Sequence, residues 1–213
     1  MKTDDLIAML ASEAPAVDPH QPARRYALAA LAGLAGALLL MVAMLGLRPD
    51  ISDAIRLPMF WCRMAYAASI AGVSLWAVSR LARPGMPMGP RWSVVAFPVA
   101  IAWVAAACIL AHANMEDRVP MVMGHTWKVC AVLIATLSVP AFVAMLFAVR
   151  GMAPVRPRAT AAAVGLFAGA TATVAYCLHC PEMAPPFWAL WYLAGMLVPA
   201  AIGALIGPRA LRW

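Results

Sequence analysis

The chain has 213 residues, of which 65% are hydrophobic and 12% charged, with a formal net charge of +7. A soluble globular domain carries about 25% charged residues, so this composition excludes one and specifies an integral membrane protein. The apolar runs are rich in Ala, Leu, Val and Gly and lack the alternation of membrane barrels, which leaves helices as the spanning solution.

Residues 1–25 form a polar tail. Thr3 reads as an N-cap, and Asp4 and Asp5 fall in the first turn, where the helix dipole favours anions. Leu6, Ile7, Met9 and Leu10 follow, and positions 6, 9 and 10 share one face, the pattern of a short amphipathic helix. Pro15, Pro19 and Pro22 stop it near Ala14. A helix of about eleven residues is marginal alone, so this one is expected to order on contact with a partner. Its four acids, Asp4, Asp5, Glu13 and Asp18, are unlike the basic start of a signal peptide, so the first apolar run is read as a retained span.

Six runs follow, each long enough to cross a hydrocarbon core about 30 Å thick: Tyr26 to Leu47, Phe60 to Val78, Trp92 to Ala111, Val129 to Val149, Ala159 to Leu178 and Phe187 to Ile206. The expected fold is an all-α membrane protein of six transmembrane helices in three hairpins, preceded by the cytoplasmic amphipathic helix. The expected domains are a tail over 1–25, a bundle over 26–207 and a C-terminus over 208–213. No connecting segment is long enough for a soluble catalytic domain.

Orientation follows from Lys and Arg in short loops, which accumulate on the cytoplasmic side. Lys2, Arg24, Arg25, Arg80, Arg83, Arg91, Arg150, Arg156, Arg158, Arg209 and Arg212 lie on one side. Arg48, Arg56, Arg63, Arg118 and Lys128 lie on the other, offset by Asp50, Asp53, Glu116, Asp117 and Glu182. Both termini are therefore expected to be cytoplasmic, with the positive charge serving topology and contact with membrane lipids. Nothing resembles a basic, aromatic-laced surface for direct nucleic-acid binding.

All five cysteines fall on or near the outer side. Cys62 and Cys108 read as apolar fillers. Cys177-Leu-His-Cys180 is different, because two thiols one helical turn apart beside a Pro suit either a dithiol pair or one arm of a metal site. Cys130 falls at a similar depth, with His125 and Lys128 nearby, so Cys130, Cys177, Cys180, His125 and His179 are the candidate ligands for copper(I), zinc or cadmium. Glu182 reads as a loop acid or a partner of Lys128, and Trp191-Tyr192 as an interface belt. Paired mid-membrane carboxylates, a Ser/His/Asp set and a phosphate loop are all absent, so the chain does not read as an enzyme. The alternative is a membrane thiol/disulfide oxidoreductase, or a metal-handling membrane protein, using Cys177 and Cys180.

The opening Met1-Lys-Thr-Asp-Asp-Leu-Ile7, the Trp127-Lys-Val-Cys130 and Leu178-His-Cys-Pro-Glu182 segments, Trp191-Tyr192 and the closing Gly207-Pro-Arg-Ala-Leu-Arg resemble the negative regulator of sigma F (NrsF) family. These are bacterial inner-membrane anti-sigma factors. The resemblance implies that the tail restrains an extracytoplasmic-function sigma factor, with Asp4, Asp5, Leu6, Ile7, Met9 and Leu10 as its contact surface. It further implies that outward-facing cysteines sense a metal or oxidant, with Cys130 and Cys180 matching the family's cysteine positions; Cys177 matches no family position and, with His179, Glu182 and Lys128, is a sensing candidate from the local reading alone. An acidic tail would suit a sigma factor's basic DNA-binding surface by complementary charge.

Overall fold

The computed structural model describes residues 3–5, 7, 9, 18, 20–83 and 92–212. Among these no strand is present, and six helical stretches are long and apolar enough to cross a membrane, the fourth of them, Met115–Arg150, being made of three consecutive helices. In chain order the elements are α1 (Gln21–Met44), α2 (Ile51–Ala54), α3 (Pro58–Leu81), α4 (Trp92–His112), α5 (Met115–Met123), α6 (Trp127–Leu137), α7 (Val139–Arg150), α8 (Pro157–Tyr176) and α9 (Pro185–Ala210).

Prolines set several boundaries. Four of the long elements, α1, α3, α8 and α9, carry Pro in their first turn, where the missing N–H costs nothing and the fixed φ suits a helix. The fourth predicted span is broken in two, because Pro140 cannot donate to the preceding turn and Ser138 folds its hydroxyl back to the Ala135 carbonyl at 2.6 Å. Beyond the thiol-bearing end of that span, α5 forms a short helix in the segment between the third and fourth runs, with Glu116 and Asp117 in its first turn.

The helix at the centre is α8. Its apolar window is 78% buried, against 11% for the peripheral α4. It packs against α1, α3, α6, α7 and α9. Lipid offers no hydrophobic drive between helices, so close association depends on small residues that let backbones meet. Gly165 and Gly169 on α8, and Gly203 and Gly207 on α9, supply two reciprocal small-xxx-small faces. A Cβ on Gly165 would strike the Pro199 carbonyl, and one on Gly203 the Ala161 carbonyl. Thr173, inside α8, satisfies its hydroxyl on the Gly169 carbonyl at 2.8 Å.

The expected arrangement of three sequential hairpins is corrected in part. Of the three expected pairs, α8 with α9 is the one that shares an extensive interface among the described residues. Among the described residues α1 packs on α7 and α8 rather than α3, and α4 packs on α3 and α9 rather than α6 or α7. Gly33 and Gly36 of α1 sit against Ala141 and Pro140, so the break in the fourth span is the surface that α1 fits.

In the tail, Thr3, Asp4, Asp5, Ile7 and Met9 are helical and exposed. Leu6 and Leu10, on which the amphipathic reading depends, lie outside the described residues, as do Ala14, Pro15 and the turn over 84–91.

Candidate functional site

The C-terminal end of α8 lies in the interior of the bundle, not in a solvated loop. The end carbonyls of α8 at Thr173, Ala175 and Tyr176 are met by backbone N–H groups of the turn that follows, which leaves the turn's own carbonyls to be paired, and away from water each unsatisfied group costs several kcal/mol. Two arginines supply the donors. Arg63, in the second turn of α3, is completely buried and donates to the carbonyls of Cys177 (2.8 Å), Cys180 (2.9 Å) and Glu182 (2.7 Å). Arg48, in the loop after α1, donates from its backbone N–H to Leu178 (3.2 Å) and from Nη1 to Cys180 (3.2 Å).

Charge balance differs between the two. Arg48 forms a two-pronged pair with Asp50, Nε to Oδ1 at 2.8 Å and Nη2 to Oδ2 at 2.6 Å. The Arg48 hydrogen bond holds the Asp50 carboxyl below the usual carboxylate range and raises the guanidinium in turn. Arg63 has no carboxylate ion pair among the described residues. Its charge is met by the negative end of the α8 dipole and by the face of Phe60, 5.1 Å away.

Cys130 of α6 and Cys177 and Cys180 after α8 join one core cluster, each 0% exposed and each a free thiol. The Tyr176 side chain interacts with both Cys130 and Cys180, and Tyr192 lies beside Cys177 and Cys180. Thr126 Oγ1 lies 4.0 Å from Cys180 Sγ. Burial pushes the Cys177 thiol up to about 12, opposed by the nearby Arg63 charge. The expectation of outward-facing thiols is thereby corrected: these three are covered by α6, α9 and the arginine-bound turn, while Cys62 and Cys108 are the exposed ones.

The other predicted residues divide. His179 is part-buried, and its Nδ1 pairs with the Gly46 carbonyl at 3.0 Å. Glu182 Oε1 accepts the His125 backbone N–H at 2.7 Å and lies 3.6 Å from the His125 ring, so its partner is His125 and not Lys128. Gly124 makes that contact possible, since at φ +53° it bears no Cβ to strike the Glu182 carboxyl. The His125 side chain is 97% exposed and Lys128 places its Nζ over Trp127 at 5.7 Å. Trp191 is no simple belt residue, because its indole N–H binds the Val122 carbonyl at 2.9 Å and anchors α5. The five candidate ligands do not converge: among the described residues no three His, Cys, Asp or Glu are grouped so as to hold a metal ion.

Sequence reasoning missed the part played by Arg48 and Arg63, which counted only as outer-side positive charge. The available signal was Arg63 itself, an ionisable residue inside an apolar run, which marks a functional position by default.

The family profile described as "NrsF: Negative regulator of sigma F" matches residues 10–213. A protein of Azospira oryzae named "Probable anti-sigma-F factor NrsF" is 49% identical over 213 residues, covering 100% of both chains. The "Anti-sigma-F factor NrsF" of Caulobacter vibrioides is 38% identical over 216 residues, again covering 100% of each. No solved structure shows a significant match.

Proposed function

The chain belongs to the NrsF family, and from that membership we propose that it is a membrane anti-sigma factor that sequesters an extracytoplasmic-function sigma factor through residues 1–25. It sits in the bacterial inner membrane with both termini in the cytoplasm and the thiol turn on the opposite side. The observation that carries this reading is end-to-end similarity to two relatives named as anti-sigma-F factors. Six apolar helices and a short acidic tail are compatible with it. The family's role is regulatory, and the reading assigns no catalytic residue.

The input is the thiol cluster. An oxidant that takes two electrons from the Cys130 and Cys180 thiols, with loss of two protons, would leave a disulfide joining α6 to the end of α8. A soft cation such as copper(I), zinc or cadmium would instead draw Cys130, Cys177 and Cys180 together as thiolates, with His125 or His179 recruited by movement of the turn. Either event biases a packed bundle by more than the few kcal/mol a two-state switch needs.

The test is capture of the sigma factor by the full-length protein in lipid nanodiscs. Leu6→Asp and Leu10→Asp should each abolish capture, whereas Cys130→Ser with Cys180→Ser should retain capture and lose release by cadmium or diamide. Full capture by both tail variants, at normal membrane levels, would remove the tail from the mechanism.

A further inference from the structure

Besides the His125 backbone bonded to Glu182, the thiol turn is bonded to the stretch of backbone at the end of α1. Gly46, at φ +74°, closes α1 with its N–H on the Met41 carbonyl at 3.1 Å, and its own carbonyl meets His179 Nδ1 at 3.0 Å. Two residues on, Arg48 binds Leu178 through its backbone and Cys180 through its side chain. Residues 46–48 are thus stitched to residues 178–180 at three points. The other end of the same helix, Gln21, follows directly on the tail.

We propose that Arg48 and Arg63 are positioning residues that hold the thiol turn closed and couple it to α1, making α1 the rod along which movement of the turn reaches the tail. The coupling rests on the thiol-input, tail-output reading above. The Cys180 carbonyl is the shared point, accepting from Arg48 at 3.2 Å and Arg63 at 2.9 Å. Cys180 cannot swing its sulfur toward Cys130 by turning its backbone without breaking one or both bonds. Asp50 sets the aim of Arg48 by gripping two of its nitrogens. α1 has 24 residues, about 36 Å at 1.5 Å per residue, so release of its Gly46 end displaces its Gln21 end as a unit. Among the described residues α1 has no extensive interface with α3, so at this end Arg48 and Arg63 join the two helices through the turn.

The experiment uses the full-length protein in nanodiscs with neither sigma factor nor signal present. Labelling of each cysteine by N-ethylmaleimide is followed by mass spectrometry, alongside hydrogen exchange of the backbone. Arg48→Ala is the main variant, Asp50→Asn the milder one because Asp50 is exposed, and Arg48→Lys the conservative control. Expected results are labelling of Cys180 at least tenfold faster in Arg48→Ala, a smaller rise in Asp50→Asn, and recovery in Arg48→Lys, which keeps one donor for the Cys180 carbonyl. Labelling of Cys108 should not change, because general loosening is not the mechanism. Hydrogen exchange over residues 20–30 should rise in Arg48→Ala although the substitution lies at the far end of α1. Cys180 labelling within twofold of the parent in Arg48→Ala and Asp50→Asn would overturn the clamp. Unchanged exchange over residues 20–30 would overturn the coupling. If both changes appear but the separate capture experiment described above finds no sigma factor bound by any form, the proposed function fails and the clamp stands.

Discussion

Replacing Arg63 with Met tests the central physical claim, that the turn after α8 stays inside the bundle because a guanidinium receives its carbonyls. The side chain is 0% exposed and donates to three carbonyls at 2.7–2.9 Å. Met fills a similar volume but donates nothing, and a buried group left without its partner costs about 1–3 kcal/mol, giving roughly 3–9 kcal/mol if all three stay orphaned. Two effects reduce this: a desolvated charge is removed, and Arg48 can still serve Cys180. Breaking a buried charged network by deleting one member typically costs about 3–5 kcal/mol, and the lower half of that range is the expectation here. At about 2–4 °C per kcal/mol for a chain of this size, the unfolding midpoint should fall by about 6–16 °C. Intrinsic fluorescence during heating of the nanodisc-embedded protein reads it directly, with Arg63→Lys expected to fall between Met and the parent. A midpoint for Arg63→Met within 2 °C of the parent would show that the carbonyls find other donors, and the account of the turn would be wrong.

The α8–α9 contact yields a pair of opposite results. Gly203→Val drives a side chain into the Ala161 backbone and should abolish folded protein in size-exclusion chromatography, whereas Gly72→Ala, with nothing within 4 Å of its added Cβ, should leave stability unchanged or raise it by about 0.5–1 kcal/mol. Burial raises the Cys177 thiol above its ordinary range, to about 12 in the folded chain. The neutral thiol is therefore favoured by folding: its contribution to stability is complete below about pH 9 and is lost as pH rises through about 12. At pH 8 the thiol is both protonated and covered, so alkylation of Cys177 should be at least tenfold slower than in the denatured chain. Equal rates in both states would refute the burial.

Composition and hydropathy alone determined the six helices long and apolar enough to cross a membrane, because a run of about 20 apolar residues has one way to satisfy its backbone in lipid. Every long helix in the structure overlaps a run read from the sequence, with ends moved outward where Pro22, Pro58, Pro157 and Pro185 allow an earlier start. The Cys-Leu-His-Cys motif and Cys130 were also legible, since thiol spacing is local and depth can be counted along a helix. Three-dimensional packing decided the rest. Which helix occupies the centre depends on the fit of Gly165 and Gly169 to Pro199 and Met196, a property of paired surfaces that no single run displays. Likewise, the sequence marks Arg48 and Arg63 only as positive charges near one side of the membrane. They become donors to the thiol turn because α8 stops within the bundle, and an unpaired carbonyl there is too costly to leave to lipid.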